Sequence, residues 1–220
     1  MIASEFVSSV YLKAERKLPT FVSGSSKWLV ILGIANAKID AWQNEPDADW
    51  NSLYNPKFAF GTVTATDTYL IDSTIRIISD TPGDTITITH LDGNKTEYRT
   101  VQASDLKRYQ TGNFCAKVGR NLIFNKAFLS TDPQFGGSIT APVYIYANHL
   151  VNDTDVVPVD DQQWLVTMTA AEYNRGDIVK QAQYPTLINE ANALMDAMKS
   201  ANEAETEEVE RISVARGATW

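Results

Sequence analysis

The hydrophobic pattern changes period twice along the chain, and this limits the fold more than any other feature. Up to about residue 56, apolar residues recur at helical spacing. From Phe58 to Leu150 they fall in short alternating runs rich in Thr, Val, Ile and Tyr. Beyond Pro158 helical spacing returns. A chain written this way is expected to be α+β. Its terminal segments form a helical body, and an antiparallel β-barrel or sandwich is inserted between them. The expected divisions are N-terminal helices over 1–56, a β domain over 57–150, C-terminal helices packing on the first over 151–202, and an extended tail over 203–220.

Local signals place the elements. Phe6, Val7, Val10, Tyr11 and Ala14 make one helical stripe after a possible cap at Ser4, closed by Pro19 and Gly24. Ser25 or Ser26 can cap a second helix with the stripe Trp28, Ile31, Leu32, Ala35, Ile39 and Trp42. That helix is apolar over more than half its circumference and is expected to be core. Asp49 can cap a short third turn ending near Tyr54. Strands are expected at 74–79, 85–90, 97–102 and 138–147, with a strand–turn–strand from Lys117 to Phe124. Pro82-Gly83 and Asp92-Gly93-Asn94 are expected turns, and Pro142 implies an edge or bulge. Pro158 and Asp160 signal a helix start, Arg175-Gly176-Asp177 a break, and Pro185 the first turn of a last helix.

Charge is unevenly placed. The net formal charge is −8. Residues 1–56 sum to −1, residues 57–150 to +1 and residues 151–220 to −8. The chain as a whole is therefore not a basic nucleic-acid wrapper. Glu203, Glu205, Glu207, Glu208 and Glu210 concentrate the acid in EAETEEVE. A basic, mildly apolar end follows, with Arg211, Ile212, Val214, Arg216 and Trp220. A single cysteine, Cys115, excludes an internally stapled scaffold, and two histidines leave too few soft ligands for structural zinc. The N-terminus lacks the basic start and apolar block of a signal peptide. The apolar run from Trp28 to Ala37 is too short to span a bilayer. A soluble protein made in a reducing cytoplasm, without membrane contact, is expected.

Catalytic signatures are missing from the sequence. It contains no GxGxxG, GxxxxGK[ST], GxSxG or HExxH, and nothing beside His90 or His149 marks a nucleophile pair. Asp47 and Asp49, and Asp153, Asp155, Asp160 and Asp161, lack EF-hand spacing and suit caps and solvated loops. No enzyme activity, metal or cofactor is expected. Lys107-Arg108 and Lys117…Arg120, with Tyr109 and Phe114 between them, suit weak phosphate contact better than sequence reading.

WLVILGIANAKIDAWQNEPDADWNSLY, Trp28 to Tyr54, resembles the N-terminal helices of tailed-bacteriophage head-to-tail adaptor (connector, neck) proteins. VPVDDQQWLVTMTAAEYNRGD and YPTLINEANALMDAMKSAN, Val157–Asp177 and Tyr184–Asn202, resemble their closing helices. The resemblance implies a structural virion protein, a dodecameric homo-oligomeric ring beneath the portal protein. It would pass double-stranded DNA non-specifically and receive the next tail component (nozzle, tail tube or stopper). It would sit in the head–tail neck of the virion, assembled in the host cytoplasm. Such adaptors commonly insert their C-terminal segment against the portal. On this reading Arg211, Ile212, Val214, Arg216 and Trp220 dock the portal. Glu203, Glu205, Glu207, Glu208 and Glu210 line or flank the channel. Asp47, Asp49 and Trp50 contact the neighbouring subunit, unless Trp50 packs in its own core. A non-enzymatic β module gripping carbohydrate or peptide through Tyr144 and Tyr146, in a virion or surface protein, is the alternative.

Overall fold

In the computed structural model, residues 1–217 are described, apart from Asp47, Asp80, Pro82, Gly83 and Gln110; over 206–217 the description covers the backbone alone. The chain divides into two compact units. One joins 1–52 with 147–220, and the other is 53–146, so the divisions fall four residues before those expected.

The first unit is helical. Helix α1 (Ala3–Glu15) begins two residues earlier than a cap at Ser4 implies, with Ile2 as the N-cap. The Glu5 carboxylate reaches back to accept the Ile2 N–H at 3.1 Å. Helix α2 (Ser26–Gln43) is capped by Ser25, whose hydroxyl accepts from Trp28 N–H. Helix α3 (Gln162–Arg175) is capped by Asp161, which takes the N–H groups of Gln163 and Trp164 at 2.8 and 3.2 Å. Helix α3 packs against α1, α2 and the last helix, α4 (Tyr184–Gly217). Phe6, Val10, Ile31, Ala35, Ile39, Trp42, Trp164, Leu165 and Ala191 bury their side chains in this unit.

Two expectations are corrected here. The C-terminal segment is not an extended tail, because α4 is helical without interruption through Gly217. Between Pro185 and Gly217 no proline or glycine occurs, and six of the eight residues of the acidic run are helix-favouring Glu or Ala. Charge alone does not end a helix. Helix α2 is also not wholly core. Trp28, Ile31, Leu32, Ala35, Ile39 and Trp42 are buried, but Leu29, Val30, Gly33, Ala37 and Ala41 are exposed.

The second unit is a curled half-barrel, a single mixed sheet of eight strands among the described residues. The strands are β1 (Tyr54–Thr62), β2 (Thr68–Leu70), β3 (Ile75–Ile78), β4 (Ile86–Thr89), β5 (Lys95–Thr100), β6 (Phe114–Val118), β7 (Asn121–Phe124) and β8 (Ser138–Ile145). Their order is β1-β8-β4-β5-β6-β7-β2, with β3 also on β8. A purely antiparallel barrel or sandwich was expected, but β5 and β6 run parallel. The chain from 101 to 113 is long enough to cross over before β6 begins, which a tight hairpin cannot do.

Strand β8 organises the sheet. One edge pairs with β1; the other takes β4 at Ser138–Thr140 and β3 at Val143–Ile145. Pro142, with no N–H to give, sits where the partner changes, and its carbonyl accepts from Ser79 N–H at 3.0 Å. Pro56 lies in the bulge of β1 opposite this point, between the Asn55↔Val143 and Phe58↔Ala141 pairs. The concave face buries Ile86, Ile88, Tyr98, Leu122, Phe124, Phe128, Ile139, Ala141 and Val143. Tyr98, Phe124 and Phe128 meet edge-on at centroid distances of 4.8 to 6.3 Å, and Tyr98 donates to Gln134 Oε1 at 2.7 Å.

Candidate functional site

The features that set this chain apart are surfaces, and the helical unit carries the first. Three charged side chains lie on α2, and each is engaged inside the chain. Lys27 lies over the Tyr11 ring at 5.6 Å. Lys38 pairs with Glu172 at 2.9 Å. Asp40 accepts from Gln43 and contacts His149 at 2.9 Å. Burial pushes the Glu172 carboxyl up, but the hydrogen bonds and charges of Lys38 and Arg175 together outweigh it and hold the group below its ordinary value. Besides the exposed Lys27 and the half-exposed Asp40, α2 turns a run of apolar residues outward. Val30, Gly33, Ala37 and Ala41 follow one another at helical spacing, with Leu29 beside them. A Cβ placed on Gly33 would meet no atom within 4 Å.

One end of the unit continues this apolar surface. Tyr11 meets Phe21 at 4.9 Å and Tyr173 at 6.4 Å, and Lys180 pairs with Glu15. These contacts bring the α1–α2 loop, the start of α2 and the α3–α4 loop together. On these segments Leu18, Val22, Leu29, Val30, Ile178 and Val179 are each between 53% and 90% exposed.

The residues singled out in the sequence are dispersed. Trp50 is fully buried, so the expectation that its side chain contacts a neighbouring subunit is corrected. The loop around it is clamped from within. Asn202 Oδ1 accepts from Asn51 N–H at 2.9 Å, and Asn202 Nδ2 donates to the Asp49 carbonyl at 3.0 Å. Asp49 lies on the surface; Asp47 lies outside the described residues. Glu203 is exposed. Glu205 is exposed too and accepts from Asn51 Nδ2 at 3.4 Å. Glu205 borders an open pocket of about 400 Å³ with Ser52, Asp160 and Met198. Burial, and then the Glu205 charge, raises the Asp160 carboxyl above its ordinary value, while the Ser52 hydroxyl bond opposes this. Side chains of Glu207, Glu208, Glu210, Arg211, Ile212, Val214 and Arg216 lie outside the described residues, as does Trp220. The Pro82-Gly83 turn does as well.

His90 hydrogen-bonds Thr96 Oγ1 at 2.7 Å across the β4–β5 hairpin, and His149 faces Asp40. Asp155 closes its own loop by accepting from the N–H groups of Val151 and Asn152. Among the described residues no three His, Cys, Asp or Glu side chains converge as metal ligands. No described helix is long and apolar enough to cross a membrane. Tyr144 and Tyr146 are not core. Ile139, Ala141 and Val143 take the buried positions, and Tyr144 instead packs on Tyr54 at 5.2 Å.

Sequence reasoning missed two features. The outward stripe of α2 was visible as the second apolar side of that helix, but was read as core. The position of Arg76 beside Lys117 and Arg120 in the β unit had no local signal, because strand pairing creates it. No protein-family model matches the chain, and comparison with curated proteins finds no matching relative.

Proposed function

We propose that this chain is a structural assembly protein, a head-to-tail adaptor that joins a phage capsid to its tail as a ring, dodecameric by resemblance. The observation that supports the reading is the outward face of α2. It holds Leu29, Val30, Gly33, Ala37 and Ala41 with no charge among them. The occupant is a second copy of this chain. Small residues at Gly33, Ala37 and Ala41 allow a neighbouring backbone to come close, and Lys38 and Asp40 are already engaged with Glu172 and with Gln43 and His149. A ring needs a head-to-tail contact between two different surfaces of each copy. The Leu18–Val22 and Ile178–Val179 loops offer apolar residues for the second one.

On this reading Arg211, Ile212, Val214, Arg216 and Trp220 dock the portal, Trp as an interface anchor and Arg against carboxylates. Glu203, Glu205, Glu207, Glu208 and Glu210 keep the channel negative, so that DNA passes without sticking. The lower face receives the next tail component, in the neck of the virion. The protein performs no catalytic step.

The test is electron microscopy of the purified protein, alone and mixed with a candidate portal, beside light scattering. Rings, alone or stacked on the portal, are the expected result; monomers under both conditions overturn the reading. Ala37→Glu should abolish rings while leaving the melting temperature of the monomer unchanged. Rings that persist in this variant would remove α2 from the interface. Deleting 211–220 should abolish portal binding and spare the ring.

A further inference from the structure

At the C-terminal end of α1, two loops of the helical unit carry cations beside solvated apolar residues. Lys180 pairs with Glu15, which fastens the α3–α4 loop to the last turn of α1. Arg16, Lys17 and Leu18 follow Glu15, and Ile178 and Val179 precede Lys180, so all five lie within three residues of that ion pair. All five are exposed, and neither Arg16 nor Lys17 makes an ion pair among the described residues. The other cations nearby are engaged. Lys180 holds Glu15 and Asp177, Arg175 holds Glu172, and Lys27 lies over the Tyr11 ring. Arg16 caps α1 in the left-handed region at φ 56°, so a cation stands where glycine is the usual residue.

The other end of α1 carries the complement. The N–H groups of Ala3 and Ser4 donate to the Asp155 and Asp153 carbonyls at 2.8 and 3.0 Å, and Ile2 pairs with Val156. Asp155 Oδ2 draws this loop into one turn by accepting from Asn152 and Val151 N–H, both at 2.7 Å. Those bonds hold the Asp155 carboxyl below its ordinary value, so it is ionised at neutral pH. Val151 and Val156 are 70% and 67% exposed. Asp153 is exposed too, and among the described residues no cation pairs with it or with Asp155. The same loop adjoins α2. Asn36 Nδ2 donates to the Leu150 carbonyl at 3.0 Å, and Asn36 Oδ1 accepts from Leu150 N–H at 2.8 Å. This places Val151 next to the stretch of α2 that holds Gly33 and Ala37.

The 13 residues of α1 separate the two ends by about 20 Å. One end is apolar and positive, and the other is apolar and negative. Like ends brought together set like charges against each other, whereas opposite ends attract, so copies are steered to meet head to tail. An interface of standard size covers about 800 Å² on each partner, enough to take in both loops of the positive end. We propose that the Arg16–Lys17 end of one copy seats on the 151–156 loop and the adjoining part of α2 of the next, with Lys17 facing Asp153. The inference rests on the ring reading above and names the surface that receives the two loops. Apolar contact supplies the affinity, and the charges set the direction in which copies add.

Lys17→Glu and Asp153→Lys invert the two ends one at a time, at exposed side chains. Sedimentation velocity of the full chain is followed over a dilution series, alone and with the candidate portal. Each variant by itself should need about tenfold more protein than the parent to assemble. An equimolar mixture of the two variants should assemble at the parent's concentration, because opposite charges meet again at every contact of an alternating assembly. The Lys17→Glu/Asp153→Lys double variant should do the same. Recovery in the mixture also shows that both variants are folded. Single variants that assemble like the parent, or a mixture that does no better than its components, overturn the pairing and leave the ring reading standing. A parent that stays monomeric both alone and with the portal overturns the two together. Phosphatidylserine vesicles test the other occupant that a basic, apolar end would suit. Vesicle binding by the parent that is lost in Lys17→Glu, with assembly unchanged, overturns the pairing as well.

Discussion

The Trp50 indole N–H donates to the backbone carbonyl of Trp42 at 2.7 Å, and the two rings stack at a centroid distance of 5.2 Å. This pair ties the segment leaving α2 back onto the helix it has just left, at a point where both side chains are fully buried. Trp50→Ala should destabilise the protein by about 3–5 kcal/mol through the lost packing and the cavity left behind. Trp50→Phe keeps an aromatic ring and should cost less, on the order of 1 kcal/mol for the hydrogen bond. Urea unfolding midpoints with unchanged slopes would measure both. An alanine variant as stable as the parent would show the pair to be incidental.

Gly137 is where two backbones meet. A Cβ there would lie 2.6 Å from the Thr89 carbonyl oxygen and 2.9 Å from that of Gln134. Neither atom can move without shifting the start of β8 against β4. Gly137→Ala should cost about 1–3 kcal/mol by overpacking. Gly33→Ala, whose Cβ enters open space, should be neutral or slightly stabilising because alanine favours helix. Thermal melts of the two variants side by side separate these expectations.

Cys115 is fully buried in the β core, and burial pushes its thiol up to about 12. At pH 8 it is therefore protonated and shielded. An alkylating reagent should label it at least about 100-fold more slowly in the native protein than in guanidinium chloride. Comparable rates in the two conditions would mean that this part of the sheet opens readily.

Asp160 sets a pH dependence. Its folded carboxyl lies above the ordinary value of 3.8, through partial burial first, with the Ser52 hydrogen bond opposing and the Glu205 charge adding to the rise. Between 3.8 and that raised value the native state holds more protons than the unfolded chain, so this group's contribution to stability falls as pH rises through the window. At neutral pH the cost is fully present. Asp160→Asn should melt above the parent at pH 7, and the advantage should shrink below the window. The difference between the two melting curves across pH reads this out. A variant no more stable at pH 7 would show that the ionised carboxylate is well accommodated.

Features governed by neighbours a few residues apart could be read directly from the sequence. Ser25 caps α2, and Asp161, one residue beyond the expected start signal at Asp160, caps α3, because a short polar side chain reaches N–H groups two or three positions ahead. Asp92-Gly93-Asn94 turns β4 into β5, with Gly93 in the left-handed region at φ +87°. The change of hydrophobic period separated the helical residues from the strands for the same reason, since side-chain direction depends on local backbone geometry.

Decisions that needed contacts distant in the chain were settled by tertiary structure alone. Strand β8 pairs with β1, β3 and β4 rather than with its sequence neighbours, and β6 lies parallel to β5. Each pairing depends on how the curled sheet closes over Ile88, Phe124 and Ile139. The two apolar sides of α2 look alike in sequence, and packing against α3 decided which became core and which was left outward. Trp50 was drawn inward by a carbonyl on the preceding helix, and Arg76 reached Lys117 and Arg120 only through β3, β6 and the turn after β6. Periodicity and capping specify how a segment folds; its neighbours are chosen by burial summed over the whole core.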